Sequence, residues 1–381
     1  MRIWGVTGTN GKTTTTWIAA MFLETDPVRK CGYVTTVEVF DGTGRFYTGY
    51  TTPPLAQLKE IFAKMEANGC TDCVMEVSSH AIHQHRTGDT VFDGGAFTNL
   101  SEDHLDYHKT MEAYFDVKLD FARQIAAKNP APSDGRRDFP PYVVCLDGGY
   151  GREMYNAVGQ LPLNVLPVTV AKPRFDLSEL QLVGEYNRSN VLVAATLAEA
   201  AGVPHDAIQR AIPTLKPRWG RLEEVKSEEG RSPRVFVDFA HTPDGLEKVL
   251  TAARGFTKGR LWVVFGAGGD RDPMKRPLMG EVCAELADRI VVTSDNPRSE
   301  DPMKIIEQIL EGVKREVTVE PDRRKAIEFA LLEAEEGDIV IIAGKGHETT
   351  QEIKGVKYPF DDREVVRQMW YNIRKCKPTG Q

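Results

Sequence analysis

The sequence has no uninterrupted apolar run of the roughly 20 residues that a membrane-spanning helix requires. It also has no excess of positive charge, because 55 acidic residues outnumber 48 Lys and Arg and leave a net charge of −7. Such a balance does not favour nucleic acid as the main partner. Six cysteines in 381 residues, and an N-terminus with the pattern of a core strand rather than of a secretory leader, favour a reducing cytoplasm.

The cysteines include one C-x-x-C pair, Cys70 and Cys73. No second pair of metal ligands lies near it in the sequence, so a connection between a helix and a strand is a better interpretation than a zinc or redox site. Low-complexity tracts and repeats of solenoid period are also missing, which leaves an ordinary globular protein as the expected class.

Apolar runs of strand length alternate with helical patterns along most of the chain. Strands are predicted over Ile3–Thr7, Cys73–Val77, Tyr142–Leu146, Val235–Phe239, Leu261–Gly266, Arg289–Thr293 and Asp338–Ala343. Helices are predicted over Lys12–Leu23, Pro54–Asn68, Met111–Ala127, Asn187–Ala201, Pro243–Ala253, Pro277–Ala287, Met303–Gly312 and Arg323–Ala334. This alternation predicts an α/β protein with mostly parallel, doubly wound sheets.

The most informative segment follows the first predicted strand, where Gly8-Thr-Asn-Gly-Lys-Thr13 leads into a helical stretch. Glycines in such a loop let backbone N–H groups face a phosphate, and the helix N-terminus adds a positive dipole end. Lys12 is placed to reach the β- and γ-phosphates, and the Thr13 hydroxyl to reach Mg²⁺. The common form of this loop has glycine where this chain has Val6. The order of strand, turn, Lys-Thr and helix nevertheless predicts binding of a nucleoside triphosphate.

The length of the chain is more than one core usually accommodates, which predicts two or three domains. A break in the pattern at Lys216–Arg221, followed by a charged stretch, puts a boundary near Pro217. We expect a phosphate-loop, ATP-binding domain over residues 1–216 and a Rossmann-like α/β domain over residues 217–381. A hinge at Pro217–Gly220 would let the two domains close and exclude water from the reaction. The polar stretch Asn129–Pro141 is expected to be a surface loop.

Two polar clusters stand out in the first half, and the first of them follows a predicted strand. Glu76 ends an apolar strand, at the edge of the sheet where ligands bind in open α/β folds, and so is placed for a metal ion beside the phosphate loop. A carboxylate that caps a helix is the alternative for Glu76. The segment Thr98–His108 crowds two histidines and two aspartates into six positions, a donor set that divalent ions favour. His104 is the main candidate ligand there.

Two other positions in the first half leave alternatives open. Asn187 and Asn190 lie one turn apart at the start of a predicted helix, where they would either cap the helix or present amides to a nucleobase. Lys118 lies on a mixed face of the predicted helix Met111–Ala127, and its position alone indicates a solvated lysine.

In the second half, four polar loops each follow a predicted strand: Val237–Pro243, Gly266–Asp272, Ser294–Ser299 and Ala343–Glu348. Loops at the carboxyl ends of parallel strands share one edge of the sheet. Arg271 and Arg298 would bind a carboxylate through paired hydrogen bonds, and Glu348 would bind an amino group. A rim with both charges predicts a zwitterionic substrate such as an amino acid, with loops of solvated charge as the alternative.

Together these segments resemble the Mur ligase family of ATP-dependent amide-bond-forming enzymes. The resemblance covers nearly the whole chain and rests on GTNGKTTT, TTP, EVSSHAIHQHR, FTNLSEDHLDYH, GRLE, DFAHTPD, GGDRD, SDNPRSEDP and GKGHE. The loop of that family is built on G-T-N-G-K-[ST], which accounts for Val6. The family reaction is phosphorylation of a carboxylate by ATP, followed by attack of the amine of an amino acid and release of ADP and phosphate.

The resemblance implies a role for each matching residue. Lys12 would stabilise the transferring phosphate, and Thr13 and Glu76 would hold one Mg²⁺. His104 would hold a second Mg²⁺ with Lys118, which matches the position of a carbamylated lysine. Other nucleotide-binding positions would be Gly8, Thr9, Asn10, Gly11, Thr14, Asn187, Asn190, Arg221 and Asp238. The acceptor would contact Thr51, Thr52, Ser78, Gln84 and Arg86, and the incoming amino acid would contact Arg271, Asn296, Arg298, Gly344 and Glu348.

The run Asp295–Arg298 has the form typical of family members that use meso-diaminopimelate. The resemblance therefore implies addition of this amino acid to the D-Glu carboxylate of a muramoyl dipeptide in peptidoglycan precursor synthesis. Family members carry a UDP-binding domain before the phosphate loop, whereas this sequence starts at the strand that enters the loop. A peptide or γ-glutamyl acceptor without UDP, and a non-catalytic ATP-binding role, are the alternatives. We expect a cytoplasmic monomer whose partners are small molecules, with neither nucleic acid nor membrane among them.

Overall fold

The structure, a computed structural model, describes residues 1–129, 139–217, 220–226 and 233–376. The chain forms two compact units, Met1–Lys216 and Pro217–Gln381. Most of the predicted surface loop at Asn129–Pro141, and part of the predicted hinge at Pro217–Gly220, lie outside the described residues.

The first unit is an α/β unit built on one large sheet. Its strands are β1 Arg2–Thr7, β2 Cys31–Val34, β3 Val39–Phe40, β4 Arg45–Phe46, β5 Asp72–Glu76, β6 Gly94–Phe97, β7 Pro141–Cys145 and β8 Asn164–Val168. Its helices are α1 Lys12–Leu23, α2 Leu55–Ala67, α3 Ser79–His83, α4 Leu105–His108, α5 Met111–Lys128, α6 Gly151–Val158, α7 Glu185–Ala200 and α8 His205–Ala211, followed by a 3₁₀ turn at Ile212–Thr214. The strand order is β4-β3-β2-β5-β1-β6-β7-β8.

Six neighbouring strands of this sheet, from β2 through β5, β1, β6 and β7 to β8, run parallel, and β3 and β4 are antiparallel additions at one edge. The central strands are buried because helices cover both faces, which explains their near-continuous apolar sequence. The carboxyl ends of β1, β5 and β6 lie side by side, and the loops that follow these strands carry the conspicuous polar residues of the first half.

Helix α5 packs unusually close to this sheet. A Cβ atom built on Gly5 in β1 would lie 2.3 Å from Phe121 Cζ, and one built on Gly95 in β6 would lie 2.7 Å from Ile125 Cδ1. The helix begins where Thr110 Oγ1 accepts a hydrogen bond from Ala113 N, as an N-cap residue does. Its depth against the sheet is therefore set by two positions that have no side chain.

The second unit is a smaller α/β unit. Its strands are β9 Glu223–Glu224, β10 Arg234–Asp238, β11 Leu261–Phe265, β12 Arg289–Val292, β13 Thr318–Val319, β14 Ile339–Ala343, β15 Thr350–Ile353 and β16 Val356–Pro359. Its helices are α9 Pro243–Arg254, α10 Lys275–Leu286, α11 Pro302–Leu310, α12 Arg323–Glu333 and α13 Asp362–Cys376. The main sheet has the order β13-β12-β11-β14-β10-β9, and β15 and β16 form a separate hairpin.

All pairs in that main sheet are parallel except β10 with β9. The predicted α/β class with mostly parallel sheets is thus confirmed in both units. The sequence missed strand β6, because two of its four residues are glycines, which are uncommon in strands. It also missed the hairpin, whose strand β16 is only four residues long and exposed throughout.

Within the described part of the chain, no helix combines the length and apolar character needed to cross a bilayer. Cys70 and Cys73 are buried free thiols, and burial raises the pKa of both. Cys73 belongs to strand β5 and Cys70 precedes it, as expected for a connection between a helix and a strand.

Asp338 closes the amino-terminal edge of the second sheet. Its carboxylate accepts hydrogen bonds from Arg260 N at 2.7 Å, Trp262 Nε1 at 2.9 Å and Glu335 N at 3.0 Å. Burial disfavours the charge, but the hydrogen bonds from Arg260, Glu335 and Trp262 outweigh burial and lower the pKa of Asp338 below its usual value.

We therefore predict that Asp338→Asn destabilises the second unit by about 1–3 kcal/mol, because buried donors lose a charged acceptor. Since the folded-state pKa is depressed, the stabilisation is complete above the unfolded pKa of about 3.9 and is lost as the pH falls through the folded value. Urea unfolding at pH 7 and below pH 4 measures both effects. The variant should lose stability at pH 7 and show less further loss in acid, whereas the exposed control Glu311→Gln should follow the wild-type curve.

Candidate active site

The phosphate loop is shaped by two glycines with left-handed backbone. Gly8 has a φ of 148° and Gly11 a φ of 84°. Helix α1 begins directly afterwards, and no side chain caps its first turn, so its N–H groups face the loop as a phosphate would require. Lys12 Nζ donates to the carbonyl oxygens of Gly8 and Thr9 at 2.9 and 2.7 Å. Thr13 is buried at the start of the helix, and Thr14 is half-buried beside it.

The segment after strand β6 supports this loop. Thr98 Oγ1 donates to Asn10 O at 2.7 Å, and Asn99 Nδ2 donates to the same oxygen at 3.0 Å. Asn99 Oδ1 accepts from Asn10 N at 3.0 Å. A Cβ atom on Gly8 would lie 1.9 Å from Thr98 Oγ1, so the position requires glycine. Sequence reasoning found Gly8 and Asn10, and it singled out the segment Thr98–His108 for its metal-binding side chains, but it missed the support that Thr98 and Asn99 give to the loop.

Strand β5 ends at Glu76, whose side chain is fully buried. β5 lies beside β1, with Glu76 opposite Val6, so the carboxylate is next to the strand that enters the phosphate loop. Thr36 donates to this carboxylate from its backbone N at 2.8 Å and from its Oγ1 at 3.1 Å. Neither bond caps a helix, so the capping alternative for Glu76 is wrong. Thr36 was missed because it lies in an irregular segment after β2.

Three of the five acceptor-binding candidates gather at the end of β5. Thr51 Oγ1 lies 3.0 Å from Thr36 Oγ1. Thr52 Oγ1 donates to Glu76 O at 2.9 Å and accepts from Ser78 N at 3.0 Å. The candidate metal ligand and the candidate acceptor contacts therefore belong to one hydrogen-bonded group.

The other two acceptor candidates follow helix α3. Arg86 Nε donates to Gln84 Oε1 at 2.9 Å, and Arg86 Nη1 lies 3.4 Å from Thr52 O. Gln84 Nε2 donates to Tyr107 OH at 3.2 Å. Tyr107, on helix α4, connects these residues to the segment of His104, and its place among the histidines of that segment was the signal that could have identified it.

His104 precedes α4 with a φ of 57°, a left-handed backbone that is uncommon outside glycine. Asp103 holds it in place, because Asp103 Oδ1 accepts from His104 N at 3.0 Å and Asp103 Oδ2 lies 3.4 Å from His104 Nε2. Burial lowers the pKa of His104 to about 3, although Asp103 opposes the shift. The imidazole is therefore neutral near pH 7, as a metal-binding histidine must be.

Lys118, on α5, is only 1% exposed, so the interpretation of a solvated lysine from its position alone is wrong. Its Nζ lies 4.5 Å from the centroid of the Tyr114 ring, one helical turn earlier. Burial lowers the pKa of Lys118 well below its usual value, and Lys12 lowers it further while Asp103 opposes the shift. A buried, uncharged amine is a nucleophile.

Tyr114 also connects the phosphate loop to the histidine segment. Its OH lies 3.2 Å from Thr9 Oγ1, and its ring stacks on His108 with centroids 4.8 Å apart. His108 Nε2 lies 3.0 Å from Ser79 Oγ on α3, and burial lowers the pKa of His108 to about 4. The spacing of Tyr114 and Lys118, four residues on one helix, was the signal for this missed tyrosine.

Asn187 and Asn190 lie inside the first turns of α7, which begins at Glu185 after Gly184. Asn187 Nδ2 donates to Val183 O at 2.7 Å, and Asn190 Oδ1 lies 3.4 Å from Thr15 Oγ1. Neither side chain caps the helix, so the capping alternative is wrong. Asn190 instead lies directly against Gly11 of the phosphate loop, where a Cβ atom would be 2.2 Å from Asn190 Oδ1.

In the second unit, Asp238 ends strand β10, and Arg221 lies just before strand β9, which pairs with β10. Asp238 Oδ2 accepts from Leu222 N at 2.6 Å and Oδ1 accepts from Ala240 N at 2.7 Å. The guanidinium of Arg221 lies over the Phe239 ring at 4.7 Å. Burial raises the pKa of Asp238, although Arg221 and the two N–H donors oppose this effect.

The loops after β11, β12 and β14 bring the amino-acid candidates together. Arg298 has a φ of 50°, and its Nη1 donates to Gly269 O at 2.7 Å. A Cβ atom on Gly344 would lie 2.4 Å from Asp295 Oδ2. The close approach of these two loops therefore requires glycine at position 344. Arg271 is in the loop that contains Gly269, and its Nη1 donates to Asp270 O at 3.0 Å.

Asn296 and Glu348 are joined directly, since Asn296 Nδ2 donates to Glu348 Oε2 at 2.8 Å. The same carboxylate oxygen accepts from Lys345 Nζ at 2.8 Å. Sequence reasoning identified Asn296 and Glu348 but missed Lys345, which is completely buried. Its place inside GKGHE, two positions from a predicted strand, suggested a glycine-rich turn rather than a buried cation.

A second buried cation connects the two arginine-bearing loops. Arg276, at the start of α10, is 1% exposed and donates to both carboxylate oxygens of Glu300 at 2.8 Å. Arg276 Nη2 also donates to Gly268 O at 3.1 Å. The hydrogen bonds from Arg276 lower the pKa of Glu300. This pair fixes the spacing between the loops that contain Arg271 and Arg298.

In the parts of the chain that the structure describes, no group of three or more His, Cys, Asp or Glu side chains is arranged to hold a metal ion. Mg²⁺ is usually bound by one or two carboxylates together with substrate phosphates and water, rather than by a protein cage. Thr13 and Glu76 therefore fit an ion that arrives with a nucleotide. His104 offers one neutral nitrogen for another, but an ammonium at Lys118 would repel a cation.

Comparison with known proteins defines the class. The sequence model of the Mur ligase middle domain matches residues 6–157, and that of the Mur ligase glutamate ligase domain matches residues 220–346. The chain belongs to the Mur ligase family and is an ATP-dependent ligase of that family. The resemblance noted in the sequence is thus confirmed, and the family depends on ATP and Mg²⁺ in general.

Two curated relatives share one name. The UDP-N-acetylmuramoyl-L-alanyl-D-glutamate–2,6-diaminopimelate ligase of Aquifex aeolicus strain VF5 is 40% identical over 390 residues, which cover 97% of this chain and 77% of the relative. The ligase of the same name from Thermosynechococcus vestitus is 41% identical over 387 residues, covering 95% of this chain and 75% of the relative.

Solved structures agree. A structure of a UDP-N-acetylmuramoyl-L-alanyl-D-glutamate–2,6-diaminopimelate ligase is 32% identical, with a TM-score of 0.61 and coverage of 98% of this chain and 79% of that chain. Mycobacterium tuberculosis folylpolyglutamate synthase complexed with ADP has a TM-score of 0.64 at 18% identity, covering 99% of this chain and 90% of that chain. The second likeness concerns the fold alone.

We predict that Gly11→Ala abolishes tight nucleotide binding, because a Cβ atom 2.2 Å from Asn190 Oδ1 displaces the loop or the asparagine. The matched control is Gly69→Ala, which has a similar φ of 78° but open space around the added carbon. Both variants carry the cost of a left-handed alanine, about 1 kcal/mol. Binding of a fluorescent ATP analogue should fall at least tenfold for Gly11→Ala alone. An equal loss in both variants would contradict the proposed contact.

Proposed function

We propose that this ligase adds meso-diaminopimelate to the D-Glu carboxylate of a muramoyl-L-Ala-D-Glu acceptor, with ATP converted to ADP and phosphate. The acceptor carboxylate takes the γ-phosphoryl group to form an acyl-phosphate, and the amine of the amino acid then displaces phosphate. The relatives whose names give this reaction are about 40% identical over nearly the whole chain. The reaction belongs to peptidoglycan precursor synthesis, so we propose a cytoplasmic monomer that acts on small molecules.

One observation in the structure carries this proposal. Thr51, Thr52 and Ser78 are hydrogen-bonded around the end of β5, the strand that also delivers Glu76 beside the phosphate loop. An acceptor bound by these hydroxyl groups would have its carboxylate near the γ-phosphate of a nucleotide held by the loop. Catalysis of phosphoryl transfer rests mainly on such positioning and on charge stabilisation.

The phosphate loop would bind the phosphates of the nucleotide. Lys12 Nζ donates to two loop carbonyls, and the same ammonium would be within reach of a phosphate bound at the start of α1. Thr13 and Glu76 would hold one Mg²⁺. That ion would neutralise developing charge on the phosphate oxygens. Thr36 would keep the Glu76 carboxylate oriented through its two hydrogen bonds.

The second metal position depends on a modification of Lys118. The uncharged amine of this buried lysine would attack carbon dioxide, form an N–C bond and release one proton, which leaves a carbamate anion. The carbamate would replace a repelling cation with a carboxylate-like ligand for a second Mg²⁺ beside His104. Burial of Lys118 against the Tyr114 ring supports this step, because it lowers the pKa of the amine and so favours the neutral form that reacts.

The nucleoside end and the amino acid would use the remaining candidates. Asn187 and Asn190, at the start of α7, would meet the adenine, and Arg221 and Asp238 would contact the nucleotide from the second unit. For the amino acid, Arg271 and Arg298 would bind the distal carboxylate of diaminopimelate by paired hydrogen bonds. The amino acid lysine has no distal carboxylate and could not form them. Asn296, Gly344 and Glu348 would complete that pocket.

The test is phosphate release from ATP with a panel of amino acids and two acceptors, UDP-N-acetylmuramoyl-L-Ala-D-Glu and the free muramoyl dipeptide. We expect release that requires both meso-diaminopimelate and an acceptor, with lysine at least tenfold less effective. Activity with the UDP-free acceptor alone would assign the enzyme to another pool of muramoyl or γ-glutamyl peptides. Tight ATP binding without release on either acceptor would contradict the ligase reaction and favour a binding role.

Lys118→Ala should lower turnover by about 100-fold or more, because a lost metal ligand removes several kcal/mol of charge stabilisation. A small carboxylate such as propionate should restore part of the activity by occupying the vacated space. A second readout is ¹³C NMR in labelled bicarbonate, where the wild-type chain should show a carbamate carbon and the variant should not.

The matched control is Lys128→Ala on the same helix, whose ammonium donates to Gly88 O and Thr90 O away from the site. It should keep both the carbamate signal and most of the activity. Full activity of Lys118→Ala, or a labelled carbamate that persists in it, would refute the role given to Lys118.

A further inference from the structure

Lys345 is a buried cation whose three hydrogens are all used. Its Nζ donates to Glu348 Oε2 at 2.8 Å, to Asn296 Oδ1 at 3.2 Å and to Thr350 O at 2.6 Å. An ammonium has three donors and no acceptor, so this set satisfies it completely. The side chain has no exposed surface. Lys345 therefore does not bind a ligand itself.

Lys345 does fix the orientation of Asn296. Asn296 Oδ1 accepts from Lys345 Nζ and from Glu352 N, the latter at 2.9 Å. Because both of these neighbours are donors, the amide oxygen must face them, and Asn296 Nδ2 must face Glu348. One N–H of the amide and the second carboxylate oxygen of Glu348 are then presented in a fixed arrangement.

Lys345 also balances charge in the pocket. The carboxylates of Asp295, Glu348 and Glu352 belong to the same cluster of loops as the guanidinium groups of Arg271 and Arg298. Removal of one buried ammonium would leave Glu348 without its cation and make the pocket more negative by one charge. A substrate with a second carboxylate would be repelled by that change, whereas a substrate with only an ammonium at its distal end would be favoured.

We propose that Lys345 is the positioning residue that makes this pocket select an amino acid with both an ammonium and a carboxylate at its distal end. The proposal rests on the proposed function for the substrate class, and adds a determinant of selectivity that does not touch the substrate. Hairpin β15–β16 supports this arrangement only through main-chain atoms, with Glu352 N donating to Asn296 and Thr350 O accepting from Lys345.

The experiment measures kcat and KM of the full chain for meso-diaminopimelate and L-lysine with the acceptor and ATP saturating. For Lys345→Met we expect the KM for diaminopimelate to rise at least tenfold with kcat changed less than threefold. The ratio of kcat/KM for diaminopimelate to that for lysine should fall at least tenfold. Lys345→Gln, which keeps a donor but removes the charge, should show the same loss of selectivity and serves if the methionine variant does not fold.

Two controls separate selectivity from stability. Gln351→Ala removes the hydrogen bond from Gln351 Nε2 to Asp295 O, 2.7 Å long, and loosens the same loop without changing its charge. Asp338→Asn weakens the opposite end of strand β14. Both should leave the selectivity ratio within threefold of wild type.

An unchanged ratio in both Lys345 variants, or an equal shift in Gln351→Ala, would overturn the proposal. Failure of the wild-type chain to use diaminopimelate would instead refute the proposed function, so the two failures are distinct.

Discussion

The close approach of helix α5 to the first sheet is the constraint on which the site of the first unit depends. Gly5 and Gly95 leave no side chain where Phe121 and Ile125 pack, so the helix lies deeper than any residue with a Cβ atom would allow. Lys118, one turn before Phe121, is then drawn out of solvent and onto the Tyr114 ring. The close packing of apolar side chains on two glycines thereby contributes to the burial that lowers the pKa of a lysine. The positions of the phosphate loop and of the end of β5 do not depend on how closely α5 packs, because they follow from the parallel arrangement of the strands.

The second unit is organised by buried cations rather than by buried apolar contacts alone. Arg276 on α10 pairs with Glu300 in the loop after β12, and Arg323 on α12 pairs with Asp362 at the start of α13. Lys345 pairs with Glu348 of its own loop and joins that loop to Asn296 and to Thr350. Buried ion pairs contribute little net stability compared with apolar residues of the same size, but loss of one partner is strongly destabilising. Their value here is geometric, since they hold flexible loops at fixed separations.

Much of the fold could be predicted because its central strands and helices are strongly periodic. The predicted helix at Lys12–Leu23 agrees with the structure at both ends, and the strand ending near Glu76 is displaced by a single residue. Strand β6 could not be predicted, since its glycines reflect close packing against Trp4 and Pro141 at Gly94 and against helix α5 at Gly95, which is tertiary information. At the site, residues in distinctive loops were found, whereas Thr36, Tyr114 and Lys345 were missed. The roles of Thr36 and Lys345 arise from contacts with Glu76 and Asn296, which are far away in the sequence and leave no local pattern. Tyr114 could have been found from its spacing to Lys118 on one helix.

Hairpin β15–β16 holds Arg298 by main-chain atoms. Arg298 N donates to Glu352 O at 3.0 Å, and Lys354 N donates to Arg298 O at 2.6 Å. Main-chain hydrogen bonds do not depend on which side chain a residue carries. The backbone position of residue 298 is therefore fixed independently of its side chain. The side chain at position 298 can therefore be exchanged without a change in the loop backbone. The left-handed backbone at this position limits the exchange to residues that are not bulky. A change in the amino acid that the enzyme selects can therefore begin with a substitution at a single position, while the main-chain frame around that position stays constant.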